Sequence, residues 1–171
     1  KILLSKTTEF LVEYIKAFKE AGADGVLTAE PAAGLLSPSL NAEFSAPFVK
    51  KIFGSVNDEN FVLCYHNCGE AIADMITEIK EYGADIYHFG NAVPLMRILP
   101  EMPSDAIVMG NIDPVLFRTG TPRDIRENVR KIYDECSLYK NFMLSSGCDI
   151  PAESIWENID AYFESIKELY S

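Results

Sequence analysis

The stretch FVLCYHNCGEAIADMITEIKEYGADIYHF, residues 61–89, decides the fold. Its two ends, FVLCYH and DIYHF, are short runs of aliphatic and aromatic residues without Gly or Pro, the composition of strands. Gly69 to Tyr82 between them reads as a helix. A helix between two such strands is a βα unit, whose strands pair in parallel.

The same unit recurs on both sides. Upstream, TTEFLVEYIKAFKEAGADG sets Phe10, Leu11, Tyr14, Ile15 and Phe18 at helical spacing, with Gly22 as the stop, and GVLTA follows as a strand. Ser37 and Pro38 form an N-cap and first-turn pair for a helix running to about Ile52 or Phe53. Downstream come a short helix near Pro94 to Leu99, the strand AIVMG and a helix start at Thr121-Pro122-Arg123-Asp124. The strand NFMLS and a helix from about Ser154 to Tyr170 complete the series.

Strands near Val26, Phe61, Ile86, Ile107 and Phe142, separated by helices, predict an α/β fold with a parallel sheet buried on both faces. No GxGxxG and no GxxxxGK[ST] follows a strand, so nothing marks a dinucleotide site or a P-loop, and a (β/α)8 TIM barrel is favoured over a doubly wound sheet. An eight-unit barrel takes about 250 residues. The 171 residues are therefore expected to form a single domain, 1–171, holding five βα units of an incomplete barrel. Its open terminal strands are expected to self-associate. The opening KILLSKTTEF has no initiator Met, which fits a fragment, and the isolated fragment is expected to lack turnover.

Charge and composition narrow the partners. A net charge of -11 and a pI near 4.6 disfavour nucleic acid and anionic membrane surfaces, both of which are held by clustered Lys and Arg. No apolar run approaches the ~20 residues of a spanning helix and no signal peptide is read, so a cytoplasmic location is expected. Cys64, Cys68, Cys136 and Cys148 are then expected to be reduced thiols rather than a disulfide frame.

In parallel α/β folds chemistry gathers at the carboxyl ends of the strands. Here those ends carry Glu30, then His66 and Cys68, then His88 and Asn91, then Asn111 and Asp113, and last Cys148 and Asp149. Side chains two apart on a strand share a face, which brings His66 and Cys68 together if the strand persists. An imidazole and two thiolates suit Zn²⁺ and leave a fourth position open, a catalytic rather than structural stoichiometry. The plainer alternatives stand beside it: buried Cys is common, and a lone His is more often a satisfied polar residue than a ligand. Cys64 and Cys136 read as packing.

YHNCG, GNIDP and SSGCDIPAESIWENIDAYFES together resemble the C-terminal part of the uroporphyrinogen decarboxylase superfamily, in particular its methylcobamide:coenzyme M methyltransferase branch. The resemblance runs from about Ala21 to Tyr170. It implies the C-terminal five units of a (β/α)8 barrel and a zinc held by His66, Cys68 and Cys148, with Glu30 as a candidate fourth ligand. The zinc would activate a small thiol such as coenzyme M, whose thiolate takes a methyl group from a methylated corrinoid on a partner protein. Asn111, Asp113 and His88 are the candidates for contact with the cofactor. Where relatives often carry Asp after the third strand this chain has Gly90, and where they often carry Asp after the first it has Glu30.

Two rival functions remain at this point. Uroporphyrinogen decarboxylation needs an arginine-rich cleft for a polycarboxylate tetrapyrrole, whereas Arg118, Arg123, Arg126 and Arg130 lie on or before one helix and the strand ends are acidic. A non-catalytic corrinoid- or metal-binding module would keep the site without the transfer.

Overall fold

The structure, a computed structural model, describes residues 1–171. Helix α1 (Ile2–Glu20) precedes strand β1 (Gly25–Ala29). Helices α2 (Pro38–Phe44) and α3 (Ala46–Val56) lead to β2 (Val62–Asn67), and the short α4 (Ile76–Ile79) to β3 (Ile86–Phe89). Strand β4 (Ile107–Ile112) is followed by α5 (Leu116–Thr119) and α6 (Pro122–Cys136), and β5 (Phe142–Ser146) by α7 (Trp156–Leu169). All five strands are parallel and lie in sequence order, β1-β2-β3-β4-β5, as successive units of a TIM-type barrel. β1 and β5 are the two edges. No helix is long and apolar enough to cross a membrane.

The sheet is not buried on both faces, which corrects the expectation drawn from its apolar strands. Leu63, Tyr65, Tyr87, Phe89 and Val108 point to the helix side and form the main core with Phe53, Ile72, Met75 and Ile79. The alternate residues face the other way, and there Leu27, Val62, Ile107 and Met143 stay exposed. In a closed barrel that second face is the interior, filled by side chains from alternate strands. Five strands do not enclose it.

Local rules account for most helix ends. α1 stops in a Schellman motif: Gly22 has φ 91° and donates to Lys19 O, while Ala23 donates to Phe18 O. α6 starts in a full capping box between Thr121 and Asp124, with Pro122 in its first turn. The helix expected from Ser37 to about Phe53 is two helices that break at Ser45. Pro47 explains the break, since it has no N–H to donate and its ring clashes with the preceding turn.

One further expectation is corrected. The segment from Gly69 to Tyr82 is not one helix but a 3₁₀ turn over Ile72–Met75 and the single turn of α4. Ile72, Met75, Ile76 and Ile79 are all buried, so the apolar spacing holds where the hydrogen-bond ladder does not. On α1 the inward line is Thr8, Val12 and Ile15. Phe10 and Tyr14 are 65% and 51% exposed, and Phe10, Tyr14 and Phe18 pack along one another one turn apart. This second apolar line lies on a different side of the helix from the buried one.

Candidate metal centre

Strand alternation delivers the first ligand. Leu63, Tyr65 and Asn67 face the helices, so Cys64 and His66 face the open side, where His66 lies in register between Ala29 and His88. The turn after Asn67 carries Cys68 over the strand end. A Cβ on Gly90 would fall 2.5 Å from Cys68 Cβ, so the space that Cys68 occupies exists because residue 90 is glycine. Cys148 arrives from β5 through Gly147, whose N–H donates to Ile112 O at 2.6 Å.

The nitrogen of His66 and the sulfurs of Cys68 and Cys148 all lie within 4.8 Å of one another. Cys148 Sγ is 3.6 Å from His66 Nε2. A tetrahedral zinc, with bonds of about 2.05 Å to nitrogen and about 2.3 Å to sulfur, sets N and S about 3.6 Å apart. The residues fit the ion in donor chemistry and in spacing.

His88 organises this group from two directions. Its backbone carbonyl accepts from His66 Nδ1 at 3.2 Å, which places the proton on Nδ1 and leaves the Nε2 lone pair for a metal. Its own ring donates from Nε2 to Ser146 O at 2.7 Å, two residues before Cys148. The two rings lie 4.5 Å apart. His88 Nδ1 is buried without a partner.

Electrostatics agree with ligation through a neutral imidazole. Burial, then the neighbouring His88, lowers the pKa of His66, so the ring is neutral at pH 7. Burial, then the adjacent Cys148, raises that of Cys68. Cys64 and Cys136 are each pushed up to about 11 by burial, as packing residues are. All four cysteines are free.

Above the three ligand atoms opens a cleft of about 580 Å³. Its walls are largely apolar, with Leu27, Phe117, Ile150, Tyr162 and Phe163 around Asp149, and no lysine or arginine lines it. The part of the cleft that this chain supplies suits a small, weakly polar molecule reaching the metal.

Of the residues singled out from the sequence, His66, Cys68 and Cys148 come together and His88 joins them. Glu30 does not, which corrects its assignment as a fourth ligand. One residue past Ala29, it turns to the helix side, where its carboxylate accepts from Ser45 Oγ at 2.7 Å and Tyr65 Oη at 3.0 Å. Asn111 lies within β4 rather than after it and donates to the carbonyls of Gly90 and Val93, which brace the loop after β3. Asp113 accepts from Val115 N and borders a separate small cavity with Asn91 and Lys131. Neither Asn111 nor Asp113 lines the cleft over the ligands. Sequence reasoning missed Ser45, Tyr65 and Ser146, whose partners lie 15 to 58 residues away, and Asn67, whose side chain bonds its near neighbours Tyr65 and Gly69.

Comparison with known proteins points to one family. The uroporphyrinogen decarboxylase (URO-D) profile matches residues 1–169. A methylcobamide:CoM methyltransferase of Methanosarcina acetivorans is 27% identical over 96% of this chain and 48% of its own length. A uroporphyrinogen decarboxylase of Thermus thermophilus is 27% identical over 98% of this chain and 48% of its own. A solved methyltransferase structure from Methanosarcina mazei superposes with a TM-score of 0.83 at 24% identity, covering 96% of this chain and 48% of the other. The chain spans about half the length of the curated relatives it matches.

Proposed function

The chain belongs to the uroporphyrinogen decarboxylase family, and we propose that within it this chain carries the metal centre of a zinc-dependent methyltransferase acting on a small thiol. The methyl group comes from a methylated corrinoid held by a partner protein. Identity does not choose between the two branches, since a methyltransferase and a decarboxylase match equally at 27%. The observation that carries the choice is the convergence of one imidazole nitrogen and two thiol sulfurs within 4.8 Å beneath an apolar cleft.

Zinc held there would make a coordinating substrate thiol react as thiolate at neutral pH, where a free thiol with a pKa near ~8.5 is mostly protonated. His66, Cys68 and Cys148 would hold the ion, and their two thiolates would donate charge to it, which favours a nucleophilic substrate sulfur. His88 keeps the proton of His66 on Nδ1 and ties down the approach to Cys148. A corrinoid-borne methyl group would pass to the substrate sulfur, with the cobalt–carbon electron pair staying on the corrinoid and the thiol proton released to solvent.

The test is zinc content followed by methyl transfer from methylcobalamin to a panel of thiols, with the chain alone and mixed with the complementary half of a relative. Expected is about one zinc per chain and thioether formation that stops on chelation. Uroporphyrinogen turnover without any thiol methylation would overturn the reading in favour of the decarboxylase branch.

A further inference from the structure

Glu30, excluded as a ligand, ends a chain of hydrogen bonds that starts at the metal-binding turn. Gly69 N–H donates to Asn67 Oδ1 at 2.9 Å, Asn67 Nδ2 donates to Tyr65 Oη at 3.0 Å, and Tyr65 Oη donates to Glu30 Oε2 at 3.0 Å. Every bond runs in the same direction, so each polarises the next, and the last acceptor is a carboxylate. Ser45 Oγ holds the other oxygen of that carboxylate at 2.7 Å. Tyr65 and Asn67 are almost wholly buried.

The backbone is clamped at the same place. A Cβ on Gly34, in the loop after β1, would lie 2.4 Å from Gly69 Cα and 2.9 Å from Asn67 Oδ1. One on Gly69 would lie 2.2 Å from Gly34 Cα. The loop after β1 therefore presses directly on the turn that carries Cys68, while Glu30 at its root holds the relay.

We propose that Glu30 is a positioning residue: through Tyr65 and Asn67 it fixes the Asn67–Gly69 turn and so sets the Cys68 sulfur for the metal. The proposal rests on the metal centre of the reading above. Burial without a cation disfavours a carboxylate energetically, and the relay explains why one stands here. Groups that orient metal ligands typically change metal affinity 10–100-fold when removed.

The experiment is Co²⁺ titration of the chain, read in the thiolate-to-cobalt and d–d bands, for the parent and for Glu30→Gln, Tyr65→Phe and the double variant. Gln in place of Glu30 replaces the charged acceptor at the end of the relay by a neutral amide with one acceptor oxygen instead of two, and Phe in place of Tyr65 removes the middle hydroxyl. Each single variant should bind Co²⁺ about 10–100-fold more weakly with altered band intensities, and the double variant should be no weaker than the worse single. Tyr87→Phe, which removes a buried hydroxyl bonded to Ala84 N and Lys80 O outside the relay, should lower melting temperature without moving affinity or spectrum. Unchanged affinity and spectrum in both relay variants overturns the proposal whatever their stability. A parent that binds Co²⁺ with tetrahedral bands but methylates no thiol even when mixed with the complementary half of a relative sinks the transferase reading and leaves the relay standing. A parent with no such bands overturns both.

Discussion

His88 Nε2 donates to the carbonyl of Ser146 at 2.7 Å, joining positions 58 residues apart in the chain and tying β3 to the end of β5. Through its own carbonyl the same residue orients His66, so one histidine that need not touch the metal sets ligands on both sides of it. Replacing His88 with Ala should lower zinc affinity about 10–100-fold while the three ligands remain. Gln, whose amide nitrogen can reach toward Ser146, should recover part of the loss. Competition against a chromophoric chelator measures both. Equal affinity in parent and Ala variant would show that the brace does nothing for the site.

The ligand set itself is tested by its differences. His66→Ala, Cys68→Ala and Cys148→Ala should each abolish zinc retention through gel filtration, because each leaves two protein ligands of three. Cys64→Ala and Cys136→Ala should keep zinc and cost about 1 kcal/mol or more of stability through the cavity left in the core. Zinc should also shield Cys68 and Cys148 from alkylation. Retention by the Cys148 variant would mean that the ion sits elsewhere.

The convergence of His66, Cys68 and Cys148 was legible because strand alternation is a rule of backbone geometry: it put His66 on one face and needed only the strand end and the Gly147 turn to add the sulfurs. Barrel architecture was legible for the same kind of reason, as five apolar runs alternate with helical ones. α1 was legible as a helix with its Gly22 stop, but apolar residues occupy two sides of it, and spacing alone does not say whether Val12 and Ile15 or Phe10 and Tyr14 find a partner. Glu30 was misread because the parity that sends His66 to the open face sends its neighbour's row to the helices, and its partners Ser45 and Tyr65 lie 15 and 35 residues away. The break between α2 and α3 was missed as well, since the helix read from Ser37 was carried through Pro47, whose lost N–H and ring clash end it.

Gly90 offers a prediction about space rather than chemistry. Its missing side chain leaves the room that Cys68 Cβ fills, 2.5 Å from where a methyl group would stand. Contacts that short are never held, and the backbone of Cys68 must move with its side chain. Gly90→Ala should therefore lose zinc as Cys68→Ala does, although every ligand is present. A Gly90→Ala protein with full zinc content and an unchanged Co²⁺ spectrum would show that the turn yields at no cost to the site.

The buried Glu30 makes a prediction in pH. Burial raises its pKa above the 4.5 of the unfolded chain, against the smaller opposing effect of the Ser45 and Tyr65 hydroxyls. The folded state thus holds this proton more tightly than the unfolded one, and ionising the group costs folding free energy. Its cost is fully present above the folded pKa, shrinks as pH falls through that value and is gone below about 4.5. Glu30→Gln removes the titration, so parent and variant should differ in the pH dependence of stability. From pH 7 down to about 4.5 the parent should gain on the variant, measured as the difference between their urea midpoints at each pH. The relay makes the opposite demand at neutral pH, where the ionised carboxylate is the better acceptor for Tyr65. The parent would then carry a less stable fold in exchange for a better-ordered Cys68 turn, and Glu30→Gln at pH 7 should bind metal more weakly without a matching loss of stability. Parallel urea profiles across that range would mean that Glu30 is solvated enough to titrate alike in both states.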